Sequence, residues 1–185
     1  MTERTRLELV RHAQALARKD WRGRDDHQRP LTEVGHHQAA KLAEELAADE
    51  GVAAAYTSPY VRCQQTLGPF AERAGLRVVD EDALGEAPTV AVHDDGEAWV
   101  TAAWLGGRAL AFCDLVTSEH SGARVVACSH GDVIPALLAA LAGRDGLELA
   151  DVHLDKGGRC TLTFDGARCV GVTVLSAPQT ETAET

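Results

Sequence analysis

The stretch LELVRHA, residues 7–13, holds the pattern from which the fold can be predicted. Its first four residues predict a short buried strand, and this strand ends at the charged pair Arg11-His12. A second apolar run, residues 124–128, ends in a similar way and is followed one residue later by His130. The sequence therefore predicts two histidines at the carboxyl ends of strands, where open α/β sheets bind their ligands.

Strands and helices alternate on both sides of these two strands. Helices are expected at residues 32–49, 58–74, 98–119 and 132–141. Further strands are expected at residues 52–56, 76–79, 160–164 and 169–175. The alternation predicts an α/β protein, a three-layer α/β/α sandwich with a mostly parallel sheet. Asp165-Gly166 is a hairpin signal, so the last two strands are expected to be antiparallel.

Individual residues predict where the helices begin or weaken. Thr32 is expected to cap the first helix, because its side-chain oxygen can accept from a free backbone N–H. Ser58 is expected to cap the second helix, with Pro59 at its first helical position. The pair Gly106-Gly107 is expected to weaken the third helix.

Composition limits the classes of partner and location. The 185 residues suit one domain, expected over residues 1–176, with residues 177–185 as a disordered tail. The formal net charge of −10 argues against nucleic acid or an anionic membrane as a partner, because clustered Lys and Arg bind phosphate backbones. Neither a signal peptide nor a membrane span is recognisable, so a cytoplasmic location is expected.

No metal or other cofactor is expected. The five cysteines show no CxxC spacing and are expected to be buried, reduced thiols. Adjacent residues on a helix point about 100° apart, so His36-His37 cannot readily share a metal. These two histidines are therefore expected on the surface.

A further cation lies where a helix disfavours positive charge. Arg62 falls in the first turn of the second helix, where the helix dipole disfavours a cation. The position becomes favourable when Arg62 and the helix N-terminus bind the same anion. Backbone N–H groups around Gly131, where the fourth helix starts, can also bind phosphate oxygens. Both segments therefore predict an anion site beside the two histidines.

Four motifs in this order resemble the histidine phosphatase superfamily. They are Arg11-His12, PLT…G…QA within residues 30–39, SPY-x-RC-x-QT at residues 58–66, and SHGD at residues 129–132. The chain is similar to the short SixA-like phosphohistidine phosphatases and to the phosphatase-like domain attached to some actinobacterial Nudix hydrolases. The resemblance implies a phosphoglycerate mutase-like fold. The second motif has no chemical role that its residues predict.

The resemblance also implies a role for each site residue. His12 would be the nucleophile and would form a phosphohistidine intermediate that water hydrolyses. Arg11 and Arg62 would bind the phosphoryl oxygens, and His130 would complete the pocket. These cations would supply the charge neutralisation that other phosphatases obtain from a metal. The chain is therefore expected to be a metal-independent phosphatase.

The acid that protonates the leaving group is less defined. The resemblance implies a carboxylate after the third strand in a Leu-x-Glu context, which Leu84-Gly85-Glu86 matches. Three further carboxylates lie at residues 80–82. Since SixA-like members can lack this acid, the role stays open between Glu86, one of its neighbours and no residue at all.

Several substrates and partners stay open. The first expectation is a phosphohistidine protein, as for SixA-like enzymes, and the alternative is a small phosphate ester such as a nucleotide or sugar phosphate. A catalytically silent phosphate-binding module is the third possibility. Residues 14–29 carry a local excess of positive charge that suits an anionic substrate, although such mixed-charge runs are typical of solvated loops. The oligomeric state is left open.

Overall fold

The computed structural model describes residues 4–23, 25–49, 51–87, 98–149 and 153–178. Of the predicted tail, Ala177 and Pro178 lie within these ranges and Pro178 is buried, whereas residues 179–185 lie outside them. Residues 88–97, which come between the expected third strand and third helix, also lie outside the described residues. The extent of the single domain therefore stays a prediction.

Within these ranges, six strands form one sheet that helices cover. The strands are β1 (Thr5–Arg11), β2 (Val52–Thr57), β3 (Val78–Asp80), β4 (Arg124–Ser129), β5 (Arg159–Asp165) and β6 (Arg168–Leu175). The helices are α1 (Glu33–Ala47), α2 (Val61–Ala74), α3 (Ala98–Glu119) and α4 (Val133–Asp145). Short 3₁₀ turns span Asp26–Gln28 and Asp82–Leu84.

The strand order is β3-β2-β4-β1-β5-β6. β1, β4, β2 and β3 are parallel to their neighbours, while β5 and β6 add an antiparallel pair beside β1. Asp165 pairs with Arg168, so the hairpin loop consists of Gly166 and Ala167, one residue later than expected, with Gly166 in the left-handed region at φ 57°. The fold class predicted from the sequence is confirmed.

The core lies on both faces of the sheet, because alternate residues of each strand point in opposite directions. On one face Leu9 packs in a buried cluster with Phe112 of α3 and Leu137 of α4. On the other face Val10 packs with residues of α1 and α2 such as Leu42. The central strand β1 is buried on both faces from Leu7 to Val10, and its one charged residue in that run, Glu8, pairs with Arg124 of β4.

The start of α2 differs from the prediction. The helix begins at Val61, and Tyr60 at its cap position makes no side-chain capping bond. The expected start at Ser58-Pro59 is therefore wrong by two residues. The physical reason is that the Ser58 hydroxyl is hydrogen-bonded to the ring of His130, at 2.8 Å from Nε2, and makes only a long contact of 3.5 Å with the Tyr60 N–H.

The third helix is continuous through its two glycines. A Cβ on Gly106 would lie 2.8 Å from the Ala136 carbonyl oxygen, so this glycine permits the close approach of α3 and α4. Gly107 has nothing within 4 Å of its Cβ position and is exposed. Among the described residues, no helix combines the length and apolar character needed to cross a membrane.

Candidate active site

The two histidines follow neighbouring parallel strands, because β1 pairs directly with β4. Arg11 is in register with Ser129, so His12 and His130 start from the same edge of the sheet. The His12 backbone N–H donates to the Ser129 carbonyl oxygen at 2.9 Å. The two imidazole centroids lie 5.3 Å apart in an edge-on arrangement. The structure therefore brings together the two histidines that the sequence predicts at strand ends.

The His12 side chain is oriented by the adjacent backbone. Its Nδ1 lies 2.8 Å from the Ala13 carbonyl oxygen, and since a carbonyl only accepts, Nδ1 carries the hydrogen. Nε2 is then the nitrogen with a free lone pair. Burial lowers the pKa of His12 to about 3, and the charges of His130, Arg62 and Arg11 act in the same direction. His12 is thus neutral at neutral pH, the state that nucleophilic attack requires.

The His130 imidazole is buried and has partners on both ring nitrogens. Nε2 contacts the Ser58 hydroxyl, and Nδ1 lies 3.3 Å from Glu86 Oε1. Burial disfavours the charged ring, but the Cys63 sulfur, 3.5 Å from Nε2 and with its own pKa lowered to about 6, as a thiolate raises the pKa of His130 together with the Glu86 carboxylate to about 9. His130 is therefore a cation at neutral pH.

The Arg62 guanidinium is completely buried in the first turn of α2. Its Nη1 donates to the Asp26 backbone carbonyl at 2.9 Å and lies 3.2 Å from the Asp26 carboxylate. Its Nη2 lies 2.9 Å from Glu86 Oε1. The guanidinium carbon also lies 4.4 Å from the centroid of the Tyr60 ring. Two carboxylates of the chain thus occupy the anion positions that the sequence predicts at this helix start.

The Arg11 side chain runs past Gly131. A Cβ at residue 131 would lie 2.6 Å from the Arg11 guanidinium carbon, so a residue with a side chain would collide with this path. Arg11 Nη1 donates to the Leu154 carbonyl oxygen at 2.6 Å, while its buried Nε has no hydrogen-bond partner in the described part of the chain. Gly131 therefore makes room for the arginine that precedes His12.

The Glu86 carboxylate reaches the same place from the segment after β3. Its Oε1 contacts Arg62 and His130, and its Oε2 accepts from Arg18 Nη2 at 2.9 Å. Burial favours the neutral acid, but His130 and Arg62 outweigh burial and hold the pKa of Glu86 well below its usual range. Glu86 is therefore ionised in this arrangement.

Two neighbouring carboxylates are engaged elsewhere. Asp80 accepts from Gln64 Nε2 at 3.0 Å, and Glu81 accepts from the Ala83 backbone N–H at 2.9 Å. In the described residues neither forms an ion pair with the cations of the site. Geometry therefore favours Glu86 over these two acids.

Sequence reasoning missed Asp26, which lies in the loop of residues 14–29. Its carboxylate contacts Arg62, accepts from Arg29 Nε at 2.7 Å and lies 3.6 Å from Arg18 Nε. Burial alone would raise the pKa of the Asp26 carboxyl, but these arginines outweigh burial and lower it. Most of this loop is exposed, as a mixed-charge run typically is, but Asp26 is half-buried and contacts the cation of the site. No spacing rule could have found Asp26, because its partner Arg62 is 36 positions away along the chain.

The PLT…G…QA motif positions the chain just beyond the first histidine. Thr32 donates to the Gln14 carbonyl oxygen from its backbone N–H at 2.9 Å and from its hydroxyl at 3.1 Å. Gln38 Oε1 accepts from the Gln14 N–H at 2.9 Å. A Cβ on Gly35 would overlap the same carbonyl group. The motif without a predicted chemical role thus has a structural one, and Thr32 also caps α1 as expected.

The end of the SPY-x-RC-x-QT motif holds the same loop from the other side. Thr66 Oγ1 accepts from the Ala13 N–H at 3.0 Å and donates to the Arg62 carbonyl oxygen at 2.6 Å. Gln65 Oε1 accepts from the Leu31 N–H at 2.8 Å. These bonds connect α2, which carries Arg62, to the backbone that follows β1.

We expect Gly35→Ala to lower the free energy of unfolding by about 2 kcal/mol, because the new methyl group collides with the Gln14 carbonyl. The collision also displaces the loop after His12, so kcat/KM should fall. Gly107→Ala is the matched control, an exposed helical glycine with open space around it, and should raise stability by up to about 1 kcal/mol. Urea unfolding measures both, and equal effects would contradict the assignment.

A cleft of about 490 Å³ opens beside His12. Its walls come from the loop after β1, from the start of α1 and from the turn before β5. The residues that line it are Arg11, His12, Gln14, Ala15, Leu16, Ala17, Arg18, Asp20, Arg29, Thr32 and Lys156. The volume is within the range of small-molecule sites. Most of the charged lining residues are cationic, which suits an anionic ligand.

A neutral buried histidine facing cations at the carboxyl edge of an α/β sheet defines a class of phosphoryl-transfer enzymes. The family model of the histidine phosphatase superfamily (branch 1) matches residues 7–94 and 88–175. The chain therefore belongs to this superfamily. The predicted family and enzyme class are confirmed, whereas the resemblance to the domain attached to Nudix hydrolases stays a prediction.

Known proteins similar to this chain include several phosphatases. The chain is 29% identical over 170 residues to an 8-oxo-(d)GTP phosphatase of Mycolicibacterium smegmatis. The match covers 92% of this chain and 48% of the relative, so the chain spans about half the length of that protein. The histidine phosphatase SixA with tungstate has a TM-score of 0.66 at 19% identity, covering 92% and 96% of the two chains. A mycobacterial glucosyl-3-phosphoglycerate phosphatase with VO3 has a TM-score of 0.71 at 21% identity, covering 94% and 99%. At these identities the structural likeness shows the fold.

Proposed function

We propose that this chain is a metal-independent phosphatase of small phosphate esters that works through a phosphohistidine on His12. The observation that carries the proposal is the neutral His12 ring, with Nδ1–H bonded to the Ala13 carbonyl and Nε2 free beside three cations. In the first step Nε2 bonds to phosphorus while the bond from phosphorus to the leaving oxygen breaks. In the second step water attacks the phosphorus, the N–P bond breaks, and the proton of the water passes to the carboxylate that protonated the leaving oxygen, so that phosphate and neutral His12 result.

Arg11, Arg62 and His130 would bind the phosphoryl oxygens. Their three positive charges balance the charge that the phosphoryl group carries in the transition state, which is the main demand of phosphoryl transfer. The carboxylates of Asp26 and Glu86 now contact Arg62, so an entering phosphoryl group must displace at least one of them. We expect Glu86 to be the carboxylate that moves. Once displaced, it would be able to carry a proton to the leaving oxygen.

Glu86 can change from base to acid during binding. Its pKa is low because His130 and Arg62 stabilise its charge. A phosphoryl group that takes over these two cations removes that stabilisation and adds negative charge nearby, and both effects raise the pKa. Glu86 can then be protonated when the substrate is bound and can donate to the leaving group.

The walled cleft supports small esters as the substrate class. A phosphohistidine on a protein surface needs an open, shallow site, whereas a small molecule needs walls to bind, and the 490 Å³ cleft provides them. The similar proteins named for 8-oxo-(d)GTP and glucosyl-3-phosphoglycerate agree with a small phosphorylated substrate. A phosphohistidine protein is the second candidate, favoured by the ionised state of Glu86, because a phosphoramidate leaving group needs less acid catalysis.

The function is tested by hydrolysis of three substrates in the presence of a chelator. An alkyl phosphate ester, a nucleotide and phosphohistidine should each be compared at equal concentration. We expect the esters to be hydrolysed and the chelator to have no effect. Loss of activity with the chelator would contradict the metal-independent mechanism, and hydrolysis of phosphohistidine alone would favour the SixA-like function.

We expect Glu86→Gln to slow hydrolysis of the alkyl ester by about 100-fold and that of the phosphoramidate only a few-fold, since glutamine cannot donate a carboxyl proton. The pair of kcat values measures this difference. Glu44→Gln is the matched control, an exposed glutamate paired with Arg73, and should change neither rate. Equal slowing of both substrates would remove the acid role from Glu86.

A further inference from the structure

One cationic side chain of the cleft, Lys156, comes from a part of the chain that has no predicted role. It lies in the turn before β5, where Gly157 has a φ of 82° and Gly158 N–H donates to the Asp155 carbonyl at 2.8 Å. These features define a tight turn, since positive φ favours glycine. Lys156 is therefore presented from a short, constrained segment.

The same turn is bonded to the backbone that carries the catalytic candidates. Gly157 N–H donates to the Arg11 carbonyl at 3.0 Å, and Arg11 N–H donates to the Gly158 carbonyl at 2.9 Å. A weaker contact of 3.3 Å joins Gly157 N–H to the His12 carbonyl. The position of Lys156 is therefore coupled to the position of His12 through direct main-chain bonds.

Two other cations that line the cleft are already paired. Arg18 contacts the carboxylates of Glu86 and Asp26, and Arg29 donates to Asp26 and to the Leu16 carbonyl. Lys156, in contrast, is exposed and forms no ion pair with any residue that the structure describes.

Its neighbouring acid is engaged elsewhere. The Asp155 carboxylate lies 3.3 Å from His153 Nε2. Among the described residues that line the cleft, the one acidic side chain is that of Asp20. In a chain of net charge −10, an unpaired lysine on the wall of a cleft beside the nucleophile is available to bind an anion.

We propose that Lys156 binds a second anionic group, a carboxylate or a phosphate, on the leaving group of the substrate. This inference rests on the proposed function and narrows it to esters that carry a negative charge besides the transferred phosphoryl group. Arg11 then serves the phosphoryl group and Lys156 the second anion. Lys156 is a residue that determines specificity and takes no part in bond cleavage.

The test compares two esters of the same size and leaving-group chemistry, glycerol 3-phosphate and 3-phosphoglycerate. They differ in that the second carries a carboxylate. We expect Lys156→Gln to lower kcat/KM for 3-phosphoglycerate about tenfold, mainly through KM, and to leave that for glycerol 3-phosphate within about twofold. Lys156→Arg should restore most of the loss. Equal effects of Lys156→Gln on the two esters would overturn the proposal.

A control and a binding measurement separate this proposal from the proposed function. Arg77→Gln removes one exposed positive charge just before β3, the strand at the opposite edge of the sheet from β5 and β6, and should alter the hydrolysis of neither ester. Calorimetry on His12→Ala should show that Lys156→Gln weakens binding of 3-phosphoglycerate but not of glycerol 3-phosphate. If Lys156→Gln weakens binding of both esters equally, or of neither, the role of Lys156 is overturned even when the parent chain hydrolyses esters normally. If it weakens binding of 3-phosphoglycerate alone but the parent chain hydrolyses no ester, only the phosphatase function is overturned.

Discussion

Replacement of His12 by alanine is expected to lower the rate of phosphate ester hydrolysis by about 10⁴-fold or more, because the nucleophile is lost while the pocket remains. The backbone of residue 12 keeps its bond to the Ser129 carbonyl, so the sheet edge should be unchanged. Steady-state rates measure the loss. Alkaline quenching during turnover with labelled substrate should detect a phosphohistidine in the parent chain and none in His12→Ala.

His36→Ala is the matched control for this substitution. His36 is an exposed residue of α1, as its neighbour His37 is, and both agree with the prediction of surface histidines. Its replacement should change the rate less than twofold and leave the labelled intermediate intact. Substantial hydrolysis by His12→Ala, or a label that persists in it, would contradict the covalent mechanism.

Replacement of Arg62 by methionine is expected to lower kcat/KM by about 10³-fold, a loss of the size found when an arginine no longer stabilises a transferring phosphoryl group. The side chain is fully buried and contacts both Asp26 and Glu86, so its removal takes a buried cation from two carboxylates and leaves Asp26 to its arginine neighbours and Glu86 to Arg18 and His130. We therefore also expect a decrease of about 3 kcal/mol in the free energy of unfolding. Ester kinetics and urea unfolding measure the two effects.

Arg73→Met is the control in the same helix, because Arg73 is exposed and pairs with Glu44 on the surface. It should change stability by less than about 1 kcal/mol and leave kinetics unchanged. Arg62→Lys keeps the charge but loses the planar fork that contacts two partners, so it should fold better than Arg62→Met and remain slow. Full activity in Arg62→Lys would show that charge alone, without bidentate geometry, is sufficient.

Much of the fold follows from local patterns. The sequence predicts the third helix over residues 98–119, and α3 has these bounds. The start of α2 was wrong because Ser58 bonds to His130, which lies 72 positions further along the chain. A capping rule considers only neighbours in sequence, and here a distant partner competes for the same hydroxyl.

Some residues of the candidate site could be predicted from local sequence patterns, and others could not. Arg11, His12 and His130 could be found from the sequence, because each lies at or just beyond the end of a buried strand and parallel strands bring their carboxyl ends to one edge. Asp26 and Lys156 could not be found. Both lie in loops, where position depends on contacts with other segments rather than on a repeating pattern.

The sequence by itself determined that two histidines and a helical arginine meet at one sheet edge, since strand ends and helix starts are local features. Only the tertiary structure decided the protonation state of each histidine. His12 is neutral because burial and nearby cations lower its pKa to about 3, whereas His130 is charged because the Cys63 thiolate and the Glu86 carboxylate raise its pKa to about 9. The two residues have the same side chain at the same kind of position. Their charges differ because a pKa depends on burial and on charged neighbours in space, and these are set by the packing of segments distant in sequence.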